Sequence, residues 1–331
     1  MEGWSKKIIA NLIDPEESRI AIIDEHGRLR DIFIERMLER QRTGEIYKAR
    51  VDSVLPGMNS AFLNLGDGRN GFLYLDDVHG QEVKPGMEML VQVVKNARKG
   101  KGARVSPRIS LAGRYMVLIP GGHETGVSKR IENDEERARL RDTAKEIRPK
   151  DFGIIIRTVA EGCDRESLQE DVDSLLEQWE QIKKDSARNN APCLIHRDIG
   201  LLERVLRDEL TDDVDEVVVD SEEEKENIEA IVKKFFPERE PSVNLFRGKM
   251  PLFDVYGLEG QLDSLQDRKV WLSSGAYLVI DQTEALTVID VNTGKFVGSK
   301  NLNDTVLKTN LEAAEEIARQ LRLRALGGIV V

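Results

Sequence analysis

Cysteine and histidine are scarce in this sequence, and the motifs that depend on them are missing. Cys163 and Cys193 stand alone, four histidines occur, and no CxxC pair is present. Two isolated cysteines do not supply a zinc site, and their scarcity is typical of a reduced compartment, so a cytoplasmic location is expected. The sequence also has no Walker loop, no GxGxxG segment and no Ser-His-Asp spacing. The familiar phosphate-loop and serine-hydrolase motifs are thereby excluded.

Long hydrophobic runs are absent as well. No apolar stretch approaches the length of a membrane span, and the N-terminal MEGWSKK lacks the apolar core of a signal peptide. Hydrophobic residues make up 40% of the sequence and charged residues 33%, a balance typical of globular proteins. The 331 residues are too many for one ordinary core, so roughly two to four modules are expected.

Acidic residues are missing from one long segment, although the net charge of the chain is −11. Residues 89–123 contain neither aspartate nor glutamate. Local patches decide phosphate binding, whereas net charge mostly governs solubility. A nucleic-acid partner therefore stays open, although a solvated loop explains the basic run equally well. The cations of this run are Lys95, Arg98, Lys99, Lys101, Arg104, Arg108 and Arg114.

The first third of the chain contains two β-rich patterns. Residues 7–34 hold three short apolar runs separated by turn residues, which predict an antiparallel meander. Such a meander buries little alone and needs a partner later in the chain. Residues 44–109 alternate short β-like pieces with glycine turns, and about five strands in this length predict a small barrel.

Phe62 and Phe72 fall on neighbouring strands of a predicted hairpin in this barrel. On an OB-type barrel, exposed rings stack on bases while cations such as Lys95 and Lys101 contact phosphates. The alternative is that both rings belong to the barrel core, and their spacing alone favours this alternative. The basic run at the end of the barrel favours RNA binding, so the preference for the core interpretation becomes weaker.

Residues 115–202 alternate predicted strands with charged helices, which is an α/β pattern. Arg157-Thr158 ends a short apolar strand, and Lys129-Arg130 comes after the Gly121-Gly122 loop. Guanidinium, hydroxyl and loop N–H donors together would make an anion pocket. For an isolated Arg-Thr pair, a surface ion pair is the simpler interpretation and is favoured at this point.

Residues 203–265 hold a predicted helix, the strand Glu216–Val219 and an acidic helix. These elements supply the partner that the N-terminal meander needs. The middle modules then form an insertion into one domain that is split in sequence.

The stretch from Leu286 to Val331 predicts a strand, a helix and a second strand. The β-branched run before Asp290 indicates a buried strand that ends in a carboxylate. A crossover of this kind places the second strand, which begins at Ile329, parallel to the first. A polar residue just beyond Val331 would then lie beside Asp290.

Asp290 is a suitable ligand for Mg²⁺, which one or two carboxylates and several waters usually hold. Asn292 could orient the metal waters or a phosphate, and Lys295 and Lys300 could contact substrate phosphates. Bound Mg²⁺ would polarise a phosphoryl oxygen and help to generate an attacking hydroxide. A turn or cap role is the alternative for a lone aspartate at a strand end, and without further information this role is favoured.

A long and specific resemblance to the ribonuclease E/G family runs through the chain. The family's catalytic segment is similar to residues 284–331, EALTVIDVNTGKFVGSKNLNDTVLKTNLEAAEEIARQLRLRALGGIVV, in which VNTGKFVG is closer to the ribonuclease G pattern. Its start resembles IDPEESRIAIID, and its OB-fold module resembles GEIYKARVDSVLPGMNSAFLNLG. Its 5′-sensor region resembles LAGRYMVLIP, SKRIE and IIIRT.

The resemblance implies an α+β multidomain fold. A split ribonuclease-H-like domain would carry an inserted OB-fold β-barrel and an inserted α/β 5′-sensor, followed by a partial DNase-I-like catalytic subdomain. The expected boundaries are 1–35 and 203–265 for the ribonuclease-H-like parts, 36–107 for the barrel, 108–202 for the 5′-sensor and 266–331 for the catalytic subdomain.

The resemblance also implies a single-strand-specific endoribonuclease for rRNA processing and mRNA decay, stimulated by a 5′-monophosphate on the RNA. Asp290 would share Mg²⁺ with a second aspartate, and Asn292 would support the site. The intact family protein is expected to be a homo-oligomer joined through zinc-bound cysteines, and that cysteine motif is absent from these residues.

Further positions of this sequence match the RNA contacts of the family. The family often carries arginine at the position of Lys129, so Arg130 could take over its contact. The matching positions are Arg157, Thr158, Gly113, Val117 and Lys129 for the 5′-monophosphate, and Phe62, Phe72 and Lys101 for RNA on the barrel.

One missing ligand leaves an alternative function open. The second metal-binding aspartate of the family would fall two residues after Val331 and is absent. These residues alone are therefore expected to be inactive or weakly active. A non-catalytic RNA-binding fragment, or a scaffold for RNA-decay partners, is the alternative to an enzyme.

Overall fold

The computed structural model describes residues 5–36, 42–66, 68–78, 80, 82–97, 102–211, 213–235, 241–294 and 302–331, apart from the side chains of 234, 235 and 302–304. The chain forms two compact units. One combines Met1–Leu38 with Leu201–Val331, and the other spans Glu39–Gly200. The first unit is therefore interrupted in sequence by the second.

Strands and helices are numbered in chain order. The strands are β1 (Lys6–Asn11), β2 (Glu17–Asp24), β3 (Leu29–Arg36), β4 (Ile46–Leu55), β5 (Ser60–Asn64), β6 (Asn70–Tyr74), β7 (Glu88–Lys95), β8 (Arg104–Ser106), β9 (Leu111–Ala112), β10 (Met116–Pro120), β11 (Thr125–Val127), β12 (Phe152–Ile156), β13 (Cys193–His196), β14 (Val214–Val219), β15 (Ser242–Leu245), β16 (Lys269–Trp271), β17 (Tyr277–Gln282), β18 (Leu286–Asn292) and β19 (Ile329–Val330). The helices are α1 (Asp134–Ile147), α2 (Arg165–Arg188), α3 (Leu201–Glu209), α4 (Glu222–Phe235), α5 (Leu252–Val255), α6 (Leu258–Ser264) and α7 (Leu302–Leu323).

The interrupted unit is built on a five-stranded sheet in the order β15-β14-β1-β2-β3. The first three strands form the predicted antiparallel meander. Strand β14 joins β1 in parallel, with Ile8 opposite Val217. Both faces of β1 are covered, because Ile8 packs with α3 and α4 while Ile9 packs with Phe253 of α5. The late segment thus supplies the partner that the meander was predicted to need.

A second sheet in the same unit has the order β16-β17-β18-β19. Helix α7 connects β18 to β19 and packs Ala313 and Ile317 against Leu278 on one face of this sheet. Strand β19 runs parallel to β18, with Val330 opposite Thr287. The predicted parallel crossover is therefore confirmed.

The other unit contains a closed barrel. Five strands follow one another in the order β4-β5-β6-β8-β7, and pairing of β4 with β7 closes the ring. The barrel is OB-like, as predicted, and β13 adds a sixth strand to the outer side of β4. Alternate residues fill the interior, among them Ala49, Val51, Ala61, Leu63, Leu73, Val91, Val93 and Val105.

The remainder of this unit is a four-stranded sheet in the order β11-β12-β10-β9, covered by α1 and α2. Strand β12 is antiparallel to β10 and parallel to β11. Leu118 and Ile154 are fully buried against Leu140 of α1 and Leu168 of α2. In the part of the chain that the structure describes, no helix is long and apolar enough to cross a membrane.

Candidate functional site

Phe62 and Phe72 lie on the outer wall of the barrel. Side chains alternate between the two faces of a strand, so the inward positions of Ala61 and Leu63 place Phe62 outside. Phe72 is directly opposite Phe62 across the hairpin, and the two ring centroids are 5.8 Å apart in an edge-to-face arrangement. Both rings are only partly buried. The alternative that they belong to the barrel core is therefore wrong.

Tyr74 and Arg104 extend this surface. Sequence reasoning missed Tyr74 and had named Arg104 only as one cation of the basic run. The Tyr74 ring is 4.8 Å from that of Phe72 and is 40% exposed. The Arg104 guanidinium lies 4.8 Å from the centroid of Tyr74. Since Tyr74 follows Phe72 by two residues, strand alternation alone could have found it. We call Phe62, Phe72, Tyr74 and Arg104 the outer aromatic patch.

Of the two lysines that were predicted to accompany these rings, the structure describes one. Lys95 is exposed at the end of β7 and pairs in register with Arg104. Lys95 therefore lies on the strand next to Arg104, at the border of the outer aromatic patch. Lys101 lies outside the described residues.

A second cluster of donors forms where β11 and β12 end. Because these strands are parallel, the residues after Val127 meet those after Ile156. The hydroxyls of Ser128 and Thr158 are 2.8 Å apart. Lys129 and Arg130 follow in the chain, and both are exposed. The structure thus brings the Lys-Arg pair and the Arg157-Thr158 pair to the same edge of the sheet.

Main-chain carbonyls help to hold Arg157, and its charge also acts on the carboxylate of Asp171. Its Nη1 donates to the carbonyl oxygen of Gly113 at 2.9 Å and to that of Arg114 at 3.2 Å. Its own N–H donates to the carbonyl oxygen of Tyr115. Val117 lies on β10, half-buried opposite Ile155. The loop before β10 therefore positions the guanidinium.

Asp171 on α2 holds that loop in place, and no sequence pattern pointed to it. Its carboxylate accepts hydrogen bonds from the N–H groups of Arg114, Tyr115 and Met116 at 3.1, 2.9 and 3.1 Å. Burial raises the pKa of Asp171, while these three N–H donors act in the opposite direction. A Cβ at Gly113 would lie 2.5 Å from the carboxylate oxygens, so the close approach requires glycine.

The Gly121-Gly122 loop is not part of this cluster, which corrects the predicted anion pocket. Pro120 is paired with Phe152 at the start of β12, and the Gly121 N–H donates to the carbonyl oxygen of Asp151. Arg157 follows the other end of the same strand. Five residues of strand span roughly 15 Å, so the N–H groups of this loop do not face Arg157.

Asp290 is exposed near the end of β18. It is paired with Val279 inside the sheet, so it is not a helix cap or a turn residue. The Nδ2 atom of Asn292 donates to Asp290 Oδ2 at 2.8 Å. Asp290 and Asn292 are brought together as predicted, whereas Lys295 and Lys300 lie outside the described residues.

A metal at Asp290 would have few protein ligands. Among the described residues, no group of three or more histidine, cysteine, aspartate or glutamate side chains could hold an ion. Asp281 shares the sheet face but forms an ion pair with Arg268. One exposed carboxylate with an adjacent amide fits a hydrated Mg²⁺, which usually keeps several waters and one or two carboxylates.

The fold and these sites define a class of protein. An OB-like barrel with aromatic and cationic side chains on its outer wall is typical of proteins that bind single-stranded nucleic acid. The model of the "Ribonuclease E/G family" matches residues 110–331. The chain belongs to the ribonuclease E/G family, which confirms the resemblance noted in its sequence.

Similar proteins cover almost the whole chain. Ribonuclease G of Salmonella typhimurium (strain SL1344) is 40% identical in an alignment of 338 positions that covers 96% of this chain and 69% of that protein. Ribonuclease G of Escherichia coli (strain K12) has the same identity and coverage. Ribonuclease E of Haemophilus influenzae is 40% identical in an alignment of 344 positions that covers 98% of this chain and 37% of that protein.

Proposed function

We propose that this protein is a single-strand-specific endoribonuclease that hydrolyses phosphodiester bonds with Mg²⁺ and is stimulated by a 5′-monophosphate on its RNA substrate. The observation that carries the proposal is the exposed Asp290 carboxylate, oriented by Asn292, in a member of the ribonuclease E/G family. Its relatives are named as ribonucleases G and E.

The outer aromatic patch supports binding of single-stranded RNA. Unpaired bases can stack on exposed rings, whereas paired bases inside a duplex cannot reach them. The exposed Lys95 and Arg104, which also pairs with Asp77 at 3.2 Å, supply positive charge for the phosphates beside those bases. A surface of this kind selects single strands with little dependence on sequence.

The cluster around Arg157 supports recognition of a 5′-monophosphate. A terminal phosphate carries more charge than an internal phosphodiester and has more free oxygens to accept hydrogen bonds. The guanidinium of Arg157 and the hydroxyl of Thr158 lie at one sheet edge with the exposed Lys129 and Arg130. These donors would bind the 5′-terminal phosphate of the RNA.

At the proposed active site, Asp290 would hold Mg²⁺ and Asn292 would orient the Asp290 carboxylate. The ion would supply Lewis-acid polarisation of the phosphoryl oxygen and a more acidic water. The register of β18 and β19 pairs Thr287 with Val330. Paired residues advance together along two parallel strands. Three positions beyond the Thr287–Val330 pair, Asp290 would therefore pair with the second position after Val331, on the same face of the sheet. A carboxylate there would complete a pair of metal ligands.

The strand order supports the finer fold proposal. In chain order, the antiparallel strands β1, β2 and β3 come first, and β14 and β15 later add in parallel beside β1. The resulting sheet, β15-β14-β1-β2-β3, fits the proposed split ribonuclease-H-like domain. The sheet that carries Asp290 corresponds to the proposed DNase-I-like subdomain.

Asp290→Asn tests the catalytic assignment. The amide removes the negative charge that would hold Mg²⁺, so cleavage of a single-stranded RNA should fall at least about 100-fold, while RNA affinity measured in EDTA stays unchanged. Asp281→Asn, a carboxylate on the same face that pairs with Arg268, is the matched control and should cleave normally. Near-normal cleavage by Asp290→Asn would refute the assignment.

A non-catalytic RNA-binding function is the second candidate. It is the function expected if the single carboxylate of Asp290 does not hold Mg²⁺ well enough for catalysis. Incubating this chain with 5′-monophosphorylated RNA and Mg²⁺ distinguishes the two functions. Binding without cleavage supports the RNA-binding function, and Mg²⁺-dependent products with 5′-phosphate ends support the enzyme.

A further inference from the structure

The face of the sheet that carries Asp290 also carries two aromatic rings. Residues paired across antiparallel strands lie on the same face of a sheet. The pairs place Trp271 opposite Tyr277 and Tyr277 opposite Asn292, so these three side chains form one row. The neighbouring row contains Lys269, Val279 and Asp290.

The opposite face is the one that helix α7 covers. Leu278 and Ile280 are buried on that side, and Leu278 packs with Ala313. The Trp271 side chain, in contrast, is 59% exposed and belongs to none of the buried clusters of the described residues. A tryptophan that faces solvent beside the candidate catalytic residues is therefore not explained by core packing.

The two rings and one cation form a compact group. The centroids of Trp271 and Tyr277 are 5.2 Å apart with 59° between the ring planes. The Nζ atom of Lys269 lies 3.9 Å from the Trp271 centroid and 3.6 Å from the Tyr277 centroid. No carboxylate in the described residues forms an ion pair with Lys269. Its charge is thus directed to the rings and is accessible to an anion.

The group lies within reach of the candidate catalytic residues. Neighbouring strands are about 4.8 Å apart, so Trp271 is about 10 Å from Asn292 across two strand spacings. The Asn292–Gly294 turn also lies against Tyr277, because a Cβ at Gly294 would be 3.2 Å from a carbon of the Tyr277 ring. A nucleotide adjacent to a phosphate at Asp290 would therefore meet these rings.

We propose that Trp271 and Tyr277 form a base-stacking subsite for a nucleotide that flanks the cleaved phosphodiester, with Lys269 contacting a neighbouring phosphate. This inference rests on the proposed endoribonuclease function. Bases stack on exposed aromatic rings regardless of their identity, and a lysine over the rings adds attraction to the RNA backbone. The subsite holds the strand across the sheet face that presents Asp290.

Kinetic comparison of two substitutions tests the role of the ring. Trp271→Leu keeps an apolar side chain but removes the aromatic face, and it should raise KM for a short single-stranded RNA about tenfold. Trp271→Phe keeps a ring and should retain most of the affinity. Met250→Ala is the control, because Met250 is also 59% exposed in this unit, and its KM should not change. Equal KM values for Trp271→Leu and the unsubstituted protein would overturn the subsite.

An abasic nucleotide identifies the base that the subsite binds. Replacing one nucleotide beside the cleavage position with an abasic residue should raise KM for the unsubstituted protein about tenfold. The same replacement should have little further effect on Trp271→Leu, because the stacking partner is already missing. Additive effects of the two changes at every flanking position would show that the ring and the base do not interact.

A binding measurement separates failure of the subsite from failure of the proposed function. In EDTA, single-stranded RNA should quench tryptophan fluorescence of the unsubstituted protein, and the quenching should be largely lost in Trp271→Phe. Quenching that is unchanged in Trp271→Phe contradicts the subsite. If the protein binds RNA and its fluorescence is quenched but it never cleaves with Mg²⁺, base stacking on Trp271 stands and the proposed catalytic function is wrong.

Discussion

At the residue scale, the carboxylate of Asp171 controls the position of Arg157 through a short loop. Asp171 accepts three consecutive N–H groups of residues 114–116, and the carbonyls of Gly113 and Arg114 accept from Arg157. Gly113 has to lack a side chain because the carboxylate lies where a Cβ would be. Recognition of the RNA 5′ end is therefore expected to depend on a residue that does not touch the RNA.

Substitutions at these two positions test that dependence. Arg157→Ala should lower the preference for 5′-monophosphorylated over 5′-hydroxyl RNA about tenfold or more, with cleavage of the 5′-hydroxyl substrate retained. Asp171→Asn leaves one acceptor oxygen for three N–H donors, so it should lower the same preference by a smaller factor. The measurement is the ratio of kcat/KM for the two substrates.

Arg165→Ala is the control for these substitutions, since Arg165 is a nearby cation that pairs with Glu146 on the protein surface. Its ratio should equal that of the unsubstituted protein. An unchanged ratio in Arg157→Ala would mean that the 5′ end binds elsewhere. An unchanged ratio in Asp171→Asn would limit Asp171 to a structural role.

At the element scale, the ion pair of Glu136 and Arg139 on α1 forms hydrogen bonds with the segment that precedes α2. Arg139 makes two hydrogen bonds of 2.7 Å to Glu136, and its Nη2 also donates to the carbonyl oxygen of Cys163. The Glu136 carboxylate accepts from the Gly162 N–H at 2.8 Å. The hydrogen bond from Arg139 is the main reason that the pKa of Glu136 is lowered from 4.5 to about 2.

The contribution of this pair should depend on pH in a defined direction. A carboxylate whose pKa is lowered by folding stabilises the protein above its unfolded pKa, and the stabilisation is lost as pH falls through the folded pKa. Glu136→Gln should therefore lower the free energy of unfolding by about 1 kcal/mol at pH 7, with a smaller difference at pH 3. Urea denaturation at the two pH values measures it.

Glu135→Gln in the same helical turn is the control, because the Glu135 side chain is exposed. Its effect on the free energy of unfolding should be small at both pH values. If Glu136→Gln lowers stability equally at pH 7 and pH 3, the charge of Glu136 is not what fastens the helix.

At the scale of the whole molecule, a net charge of −11 has to be reconciled with an RNA substrate. Positive side chains lie next to exposed aromatic rings at two places in the structure. Arg104 lies over Tyr74 on the outer wall of the barrel, and Lys269 lies over Trp271 on the sheet face that carries Asp290. Binding to phosphates releases counterions, so affinity should depend strongly on salt.

RNA affinity should therefore weaken steeply between 50 and 200 mM salt. For a single strand, contact with two or more phosphates gives a slope of about −1.4 or steeper in a plot of log affinity against log salt concentration. Fluorescence anisotropy of a labelled RNA in EDTA measures the slope without cleavage. A scaffold that binds only proteins would show no salt-dependent affinity for RNA, and a flat plot would support that alternative.

Local sequence patterns were sufficient for the individual elements and for some exposed side chains. The short apolar strand predicted before Arg157-Thr158 is Phe152–Ile156 in the structure, and the predicted strand Glu216–Val219 lies within Val214–Val219, because apolar patterns depend on residues a few positions apart. The barrel and the parallel crossover to Ile329 also agree, since turn spacing and connection handedness constrain them strongly. Asp290 and Asn292 are two residues apart in one strand, so their proximity needed no tertiary information.

The tertiary structure decided which distant residues meet. Asp171 contacts Met116 across 55 positions of sequence, and no local pattern selects one carboxylate of an acidic helix for this contact. The direction of β12 separated the Gly121-Gly122 loop from Arg157, because a loop and a strand end can be close in sequence yet lie at opposite ends of a sheet. The register of three strands placed Trp271 and Tyr277 on the face of Asp290. Strand register depends on long-range packing, and a shift of one residue would have turned these rings toward α7.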